Sequence, residues 1–169
     1  MQDRMSLASQ TVYRESTPTD LPAIRELDSQ DAIAAEAGLA EALQQGCSDT
    51  LSLVAELNGK VIGHILMTAT AGPERALALA PLAIQPTYRD MQIGTELVRH
   101  ALRLARERGW KSVFVYGQPD YYCRFGFKSR TADGADVACQ GPRFLALELS
   151  PDALAGWSGP LTYPEAFRK

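Results

Sequence analysis

The stretch from Leu77 to Tyr116 constrains the fold more than any other: an apolar run, a polar turn, an amphipathic segment, a second apolar run. The run Leu77–Ile84 predicts a strand, which Pro86 ends by withholding a backbone donor. A polar turn, Thr87 to Gln92, opens a helix in which Ile93, Leu97, Val98, Ala101, Leu102 and Ala105 share one face. Glu96, Arg99, Arg103, Arg106 and Glu107 share the other. Gly109 stops the helix, and Ser112–Tyr116 returns to extended chain. A strand–helix–strand crossover of this kind places its two strands in one sheet, as parallel or splayed neighbours.

The turn is where chemistry can act. A helix start exposes unpaired N–H groups and the positive end of a dipole, which suits a pyrophosphate. Arg89 adds a positive charge just ahead of it, and Gly94 lets a ligand approach the backbone closely. A Walker A loop needs a Gly-Lys-Ser/Thr ending, which is missing, and a Rossmann turn needs three glycines where only Gly94 is present. The remaining nucleotide reading is the coenzyme A turn of acetyltransferases.

The turn Arg89-Asp-Met-Gln-Ile-Gly94 resembles the Arg/Gln-x-x-Gly-x-Gly/Ala signature of the GNAT superfamily of acyl-CoA-dependent N-acetyltransferases. Leu82-Ala-Ile84 is similar to that family's pantetheine-binding strand. Tyr122-Cys-Arg-Phe-Gly-Phe127 is similar to its Tyr-x-x-Phe-Gly-Phe motif, here with a doubled tyrosine, Tyr121-Tyr122. The two motifs flank one helix and one strand, as the family's do. The resemblance implies an α/β (α+β) GNAT fold, a mixed central sheet of about six to seven strands flanked by about four helices. It implies acetyl-CoA as cosubstrate, no metal, and an amine acceptor. It assigns cofactor binding to Leu82, Ala83 and Ile84 and to the turn Arg89, Asp90, Met91, Gln92, Ile93, Gly94 and Thr95. The family usually has Gly where this chain has Gln92, and a small or basic residue in place of Asp90. Gln92 keeps its N–H for the anion if its backbone can take the required angles. Asp90 brings a negative charge that weakens phosphate binding unless it points outward.

The rest of the chain fits around this unit. Residues 1–9 read as a loose tail and Thr11–Glu15 as a first strand. Thr17-Pro-Thr-Asp20 supplies a helix cap, and Ile24, Leu27, Ile33, Leu39 and Leu43 recur at helical intervals up to Gln45, with Gly38 dividing two helices. In the family, these helices border the acceptor side of the cleft. Leu51–Leu57, Asn58-Gly59 and Lys60–Met67 predict a hairpin, since Asn-Gly tolerates the positive φ of a tight turn. Gly72-Pro73 turns the chain into the central strand, so three antiparallel strands precede the crossover. Thr131 to Pro142 reads as a connection and Arg143–Leu149 as a last strand, followed by a short helical turn ending near Gly156. Residues 150–169 form a tail whose Trp157, Leu161, Tyr163 and Phe167 pack back on the domain or against a second subunit, as in a homodimer.

With 169 residues, 46% of them apolar, the chain has room for one domain with a substantial core. No apolar run reaches membrane-spanning length and the N-terminus lacks a signal-peptide core, which predicts a cytoplasmic protein. Seventeen basic residues against twenty acidic give −3, no general attraction for nucleic acid or anionic membrane. The helix stripe Arg99, Arg103, Arg106 and Arg108 reads as a solvated face, though some of these arginines could meet the 3′-phosphate of coenzyme A. Cys47, Cys123 and Cys139, with His64 and His100, show neither zinc-ligand spacing nor an even disulfide count.

Acetyl transfer needs a held thioester, a free amine, a place for the oxyanion and a proton for the departing thiolate. The resemblance places a backbone N–H of the central strand at the thioester carbonyl and makes Tyr122 the proton donor. A phenol suits that task because its pKa near 10 keeps it protonated at neutral pH. No general base is readable: His64, Glu74, Asp120 and a relaying water are all candidates. Cys123 raises a two-step alternative through an acetyl-cysteine, but neither histidine lies near it in sequence. Direct attack in a ternary complex is therefore preferred. The competing readings are a non-catalytic acyl-CoA-binding or regulatory domain, consistent with Asp90, Gln92 and the missing base, and an ATP-binding protein, which the absent Gly-Lys-Ser/Thr disfavours.

Overall fold

Asn58 and Gly59 both take positive φ, 52° and 79°, and join β2 (Thr50–Leu57) to β3 (Lys60–Thr70) with Leu57 opposite Lys60. This hairpin seeds the sheet. The computed structural model describes residues 6–29 and 50–162. The expected helical positions Ile33, Gly38, Leu39 and Leu43, the thiol of Cys47, and Tyr163 and Phe167 of the tail lie outside the described residues.

β1 (Val12–Glu15) pairs antiparallel with β2, β2 with β3, and β3 with β4 (Ala76–Ile84). Helix α3 (Ile93–Glu107) then crosses to β5 (Ser112–Tyr116), which runs parallel to β4, and β7 (Phe144–Glu148) closes the order β1-β2-β3-β4-β5-β7. The parallel ladder is short: Ala76, Leu77 and Ala78 pair with Ser112, Val113 and Phe114, and beyond them β4 and β5 diverge. On its other side β4 carries an extra residue against β3 between the pairs Met67–Leu79 and Ile65–Leu82. Pro81 falls inside that bulge, where its missing N–H costs no ladder bond.

The six apolar positions expected on the inner face of α3 are all buried, together with Thr95. They pack on Leu53, Ala55, Ile65 and Met67 of β2 and β3 and on Val113 and Val115 of β5. Each such aliphatic side chain contributes roughly 1.5–3 kcal/mol when fully removed from water. Gly63 permits the close approach: a Cβ there would stand 2.8 Å from Ile84 Cδ1 and 3.3 Å from Ala55 Cβ. On the opposite side a second core gathers Phe114, Phe144, Leu154 and Leu161, with Trp157 edge-on to Phe114.

Several local features differ from the sequence expectation. Within the expected loose tail, Leu7–Gln10 forms a helical turn, α1, capped by the Ser6 hydroxyl, and Ala8 is buried. Alternating polarity is too short there to signal it. The cap Thr17–Asp20 leads into α2 (Leu21–Asp28) as expected. Asp20 is buried and accepts two bonds from Arg14, at 2.8 and 3.0 Å, and one from the Thr17 N–H at 2.7 Å. Residues 151–156 form turns rather than a helical turn. Up to Thr162 the C-terminal segment packs on the rest of the chain: β8 (Gly159–Pro160) pairs in parallel with β6 (Ala135–Asp136), and Ala71 and Thr162 exchange two backbone hydrogen bonds. Among the described residues no helix is long and apolar enough to cross a membrane.

Candidate functional site

Where β4 and β5 separate, a cleft of about 610 Å³ opens beside the start of α3. Its walls come from five places in the chain. β4 supplies Leu82, Ala83 and Ile84; the following turn supplies Tyr88, Arg89, Asp90 and Gln92; α3 supplies Gly94 and Thr95. Leu27 of α2 closes one side, and Tyr121 and Arg124 close another.

The turn holds its shape through backbone angles rather than side-chain caps. Gln92 is the N-cap of α3 and adopts the left-handed conformation, φ 67° and ψ 5°, which a glycine would take at less cost. Asp90 is also left-handed, at φ 64°. The first hydrogen bond of the helix runs from Glu96 N–H to the Gln92 carbonyl at 3.0 Å. The N–H groups of Ile93, Gly94 and Thr95 precede it and have no partner within the helix. They carry the positive end of a four-turn helix dipole, a setting for an anion. Arg89 is exposed and steadied by its Nε–H, which donates to the Ile84 carbonyl at 3.2 Å. Asp90 shares the rim with Arg89, so the cradle carries one charge of each sign.

Gly94 is the floor. A Cβ there would lie 3.5 Å from Ile84 Cγ1 and 3.5 Å from the Tyr121 hydroxyl, occupying space between the two walls. The Tyr121 hydroxyl in turn meets Thr95 Oγ1 at 3.2 Å.

Eight of the ten sequence-predicted cofactor residues therefore face one cleft. The other two do not contribute side chains to it: Ile93 is 1% exposed in the core, and Met91 is 41% exposed. Tyr122 also does not line the cleft. It follows Pro119 in the short helix α4 (Pro119–Tyr122), and its ring is buried against Tyr121, Phe125 and Phe127. It lies so close to Gly117 that a Cβ there would come within 2.6 Å of it. Burial, and secondarily the neighbouring Tyr121, hold the Tyr122 phenol protonated well above the ordinary tyrosine range.

The candidate bases are scattered. His64 is fully buried on β3, with Nε2 3.0 Å from Ser52 Oγ, and does not line the cleft, although Ala83, its partner across the ladder, does. Glu74 is exposed at the entry to β4 and paired with Lys111 at 2.9 Å. Asp120 and Cys123 are exposed on α4 and just after it, where the Cys123 thiol donates to the Asp120 carbonyl at 3.4 Å. Among the described residues no group of three or more His, Cys, Asp or Glu side chains is placed to hold a metal.

Tyr88, Leu27, Tyr121 and Arg124 are cleft residues that the motif reading passed over. For the last two a signal existed. Residues three apart on a helical turn share a side, so Tyr121 and Arg124 face outward together while Tyr122 and Phe125 turn inward.

Comparison with known proteins bears directly on this geometry. The acetyltransferase (GNAT) family pattern matches residues 21–127. The uncharacterized N-acetyltransferase YhbS of Escherichia coli K12 is 33% identical over 171 aligned residues, covering 94% of this chain and 99% of YhbS. The fold superposes on the E. coli YhbS structure in complex with CoA with a TM-score of 0.87, at 28% identity, covering 100% of this chain and 96% of that one. A GNAT acetyltransferase from Brucella melitensis in complex with acetyl-CoA gives a TM-score of 0.76, at 28% identity and 93% and 97% coverage. The fold is thus shared over nearly the whole chain, and this protein belongs to the GNAT family of N-acetyltransferases.

Proposed function

We propose that this enzyme transfers an acetyl group from acetyl-CoA to a primary amine by direct attack in a ternary complex. One observation carries the reading: the unpaired N–H groups at the start of α3, beside Arg89, face the same cleft as the diverging backbone of β4. The fit is supported by Gly94, whose missing Cβ leaves the floor of that cleft open between Ile84 and Tyr121. In this reading the α3 turn and Arg89 hold the pyrophosphate, and Leu82–Ile84 offer backbone partners to the pantetheine amides.

The amine nitrogen attacks the thioester carbonyl, the C–N bond forms, and the C–S bond breaks. A proton leaves the amine through water, since no carboxylate or imidazole among the described residues is positioned at the cleft besides Asp90 on its rim. A backbone N–H of β4 near the bulge stabilises the developing oxyanion. Tyr122 donates the proton that the departing sulfur needs. A phenol keeps its proton at neutral pH, as a donor must, while burial raises the ionisation of this one and so makes it a weaker acid. Acetyl-CoA use also supports a cytoplasmic enzyme.

Calorimetric titration of the purified protein with acetyl-CoA, with ATP as control, tests the reading. Micromolar binding, roughly −8 kcal/mol, followed by amine-dependent release of free thiol, is the expected result. Binding without amine-dependent thiol release across a broad panel would favour the non-catalytic alternative, and ATP binding without acetyl-CoA binding would overturn both.

A further inference from the structure

We infer that Arg124 recognises the ribose 3′-phosphate of the cofactor and so selects phosphorylated coenzyme A over its dephospho form; this rests on the acetyl-CoA reading above. The helix stripe expected from the sequence is poorly placed for the task. Arg99 is paired with Glu96 at 2.7 Å, Arg108 is paired with Glu15, and none of the four stripe arginines lines the cleft. Arg124 does line it, is exposed, and forms no ion pair among the described residues.

Its side chain is already organised for binding. Nε–H donates to the Tyr121 carbonyl at 2.8 Å, and the guanidinium carbon sits 4.6 Å from the centre of the Tyr121 ring. Both constraints leave the two terminal nitrogens, the fork that matches a phosphate monoester, free for a ligand. Arg89 is tethered in the same way, by Nε–H to the Ile84 carbonyl. Gly94 lies between these two tethering residues: a Cβ on it would stand 3.5 Å from Ile84 and 3.5 Å from the Tyr121 hydroxyl. The cleft therefore has a cation on each wall. A helix dipole acts within its first turn, so it serves the pyrophosphate, with Arg89 beside it. The 3′-phosphate sits on the ribose, away from that turn, and carries close to two negative charges at neutral pH. It requires a second cation, and Arg124 is the one at the cleft.

The test is calorimetry of the full-length wild-type protein, Arg124→Gln and Arg89→Gln, each with coenzyme A and with dephospho-coenzyme A. The wild type is expected to prefer coenzyme A by about tenfold or more, the worth of a charge-assisted contact. Arg124→Gln should bring that ratio close to one, while Arg89→Gln weakens both ligands and keeps the ratio. Arg124→Lys should restore part of the preference. A wild type that binds both ligands equally, an Arg124→Gln variant that weakens both alike, or an Arg89→Gln variant that erases the ratio would each overturn the assignment. Wild-type protein that binds neither ligand would instead remove the acetyl-CoA reading itself. Thermal melts of the variants separate binding from folding, and an exposed arginine leaves the core untouched.

Discussion

The hydroxyl of Tyr121 meets Oγ1 of Thr95 at 3.2 Å, tying the aromatic turn after β5 to the first turn of α3 across the floor of the cleft. Thr95 is 4% exposed, so its hydroxyl has little recourse to water. Tyr121→Phe should cost about 1–2 kcal/mol of stability by leaving that hydroxyl unsatisfied. The double variant with Thr95→Val should cost less than the sum of the single changes, because both partners are then removed. Urea denaturation of the four proteins measures this, and strict additivity would show that the contact contributes nothing.

Gln92 holds a left-handed backbone at the N-cap of α3 without a side-chain cap bond. Gln92→Gly relieves a strain of about 1–2 kcal/mol and loosens the unfolded chain by somewhat less. The expected outcome is unchanged or slightly raised stability, with acetyl-CoA affinity maintained or tightened. A large drop in affinity by calorimetry would mean that the Gln92 side chain itself touches the ligand.

Tyr122→Phe should lower kcat by about a hundredfold or more while leaving the acetyl-CoA dissociation constant nearly unchanged. The raised ionisation of this phenol fixes the sign of the pH effect. The proton-bearing form is retained through the ordinary tyrosine range near 10 and lost only above it, so the wild-type rate should show no alkaline fall attributable to Tyr122 below that pH. Equal turnover in the variant would take Tyr122 out of the mechanism.

Asp20 sits under Arg14, whose hydrogen bonds hold its carboxyl below the usual range. A depressed folded-state pKa stabilises the protein above the unfolded value of 3.8, and that contribution disappears as pH falls through the folded value. Asp20→Asn should therefore cost about 1–3 kcal/mol at neutral pH and progressively less toward acid. Melting temperatures of both proteins between neutral pH and strong acid should converge.

Periodicity made the sheet order through β5 readable, because a hairpin turn and a helix with one apolar face leave few alternatives. The cleft side of β4 was readable through the resemblance of Leu82–Ile84 and Arg89–Gly94 to the family's cofactor motifs, not through periodicity. Two things were hidden. The pairing of Ala135–Asp136 with Gly159–Pro160 involves segments too short to carry a pattern, and it depends on Trp157 finding Phe114 across the chain. The division of labour in Tyr121-Tyr122 was hidden as well, since two identical neighbours differ only in which side of a short helical turn they occupy. The three-residue spacing of Tyr121 and Arg124 signals that they share a side, but the Tyr121 ring and carbonyl that hold Arg124 are contacts no charge count registers.

The early parting of β4 from β5 places a sheet edge in the interior of the sheet. From Leu79 onward, the backbone groups of β4 that point toward β5 have no ladder partner there, and among the described residues the Ile84 carbonyl is met by Arg89. Natural sheets shield such edges against pairing with stray chains, and in the acetyl-CoA reading proposed above the bound cosubstrate covers this one. The amide protons within Leu79–Ile84 that point toward β5 should thus exchange with deuterated solvent readily in the free protein and slowly once the cleft is filled. The cosubstrate would then act as a removable seventh strand of the six-stranded sheet.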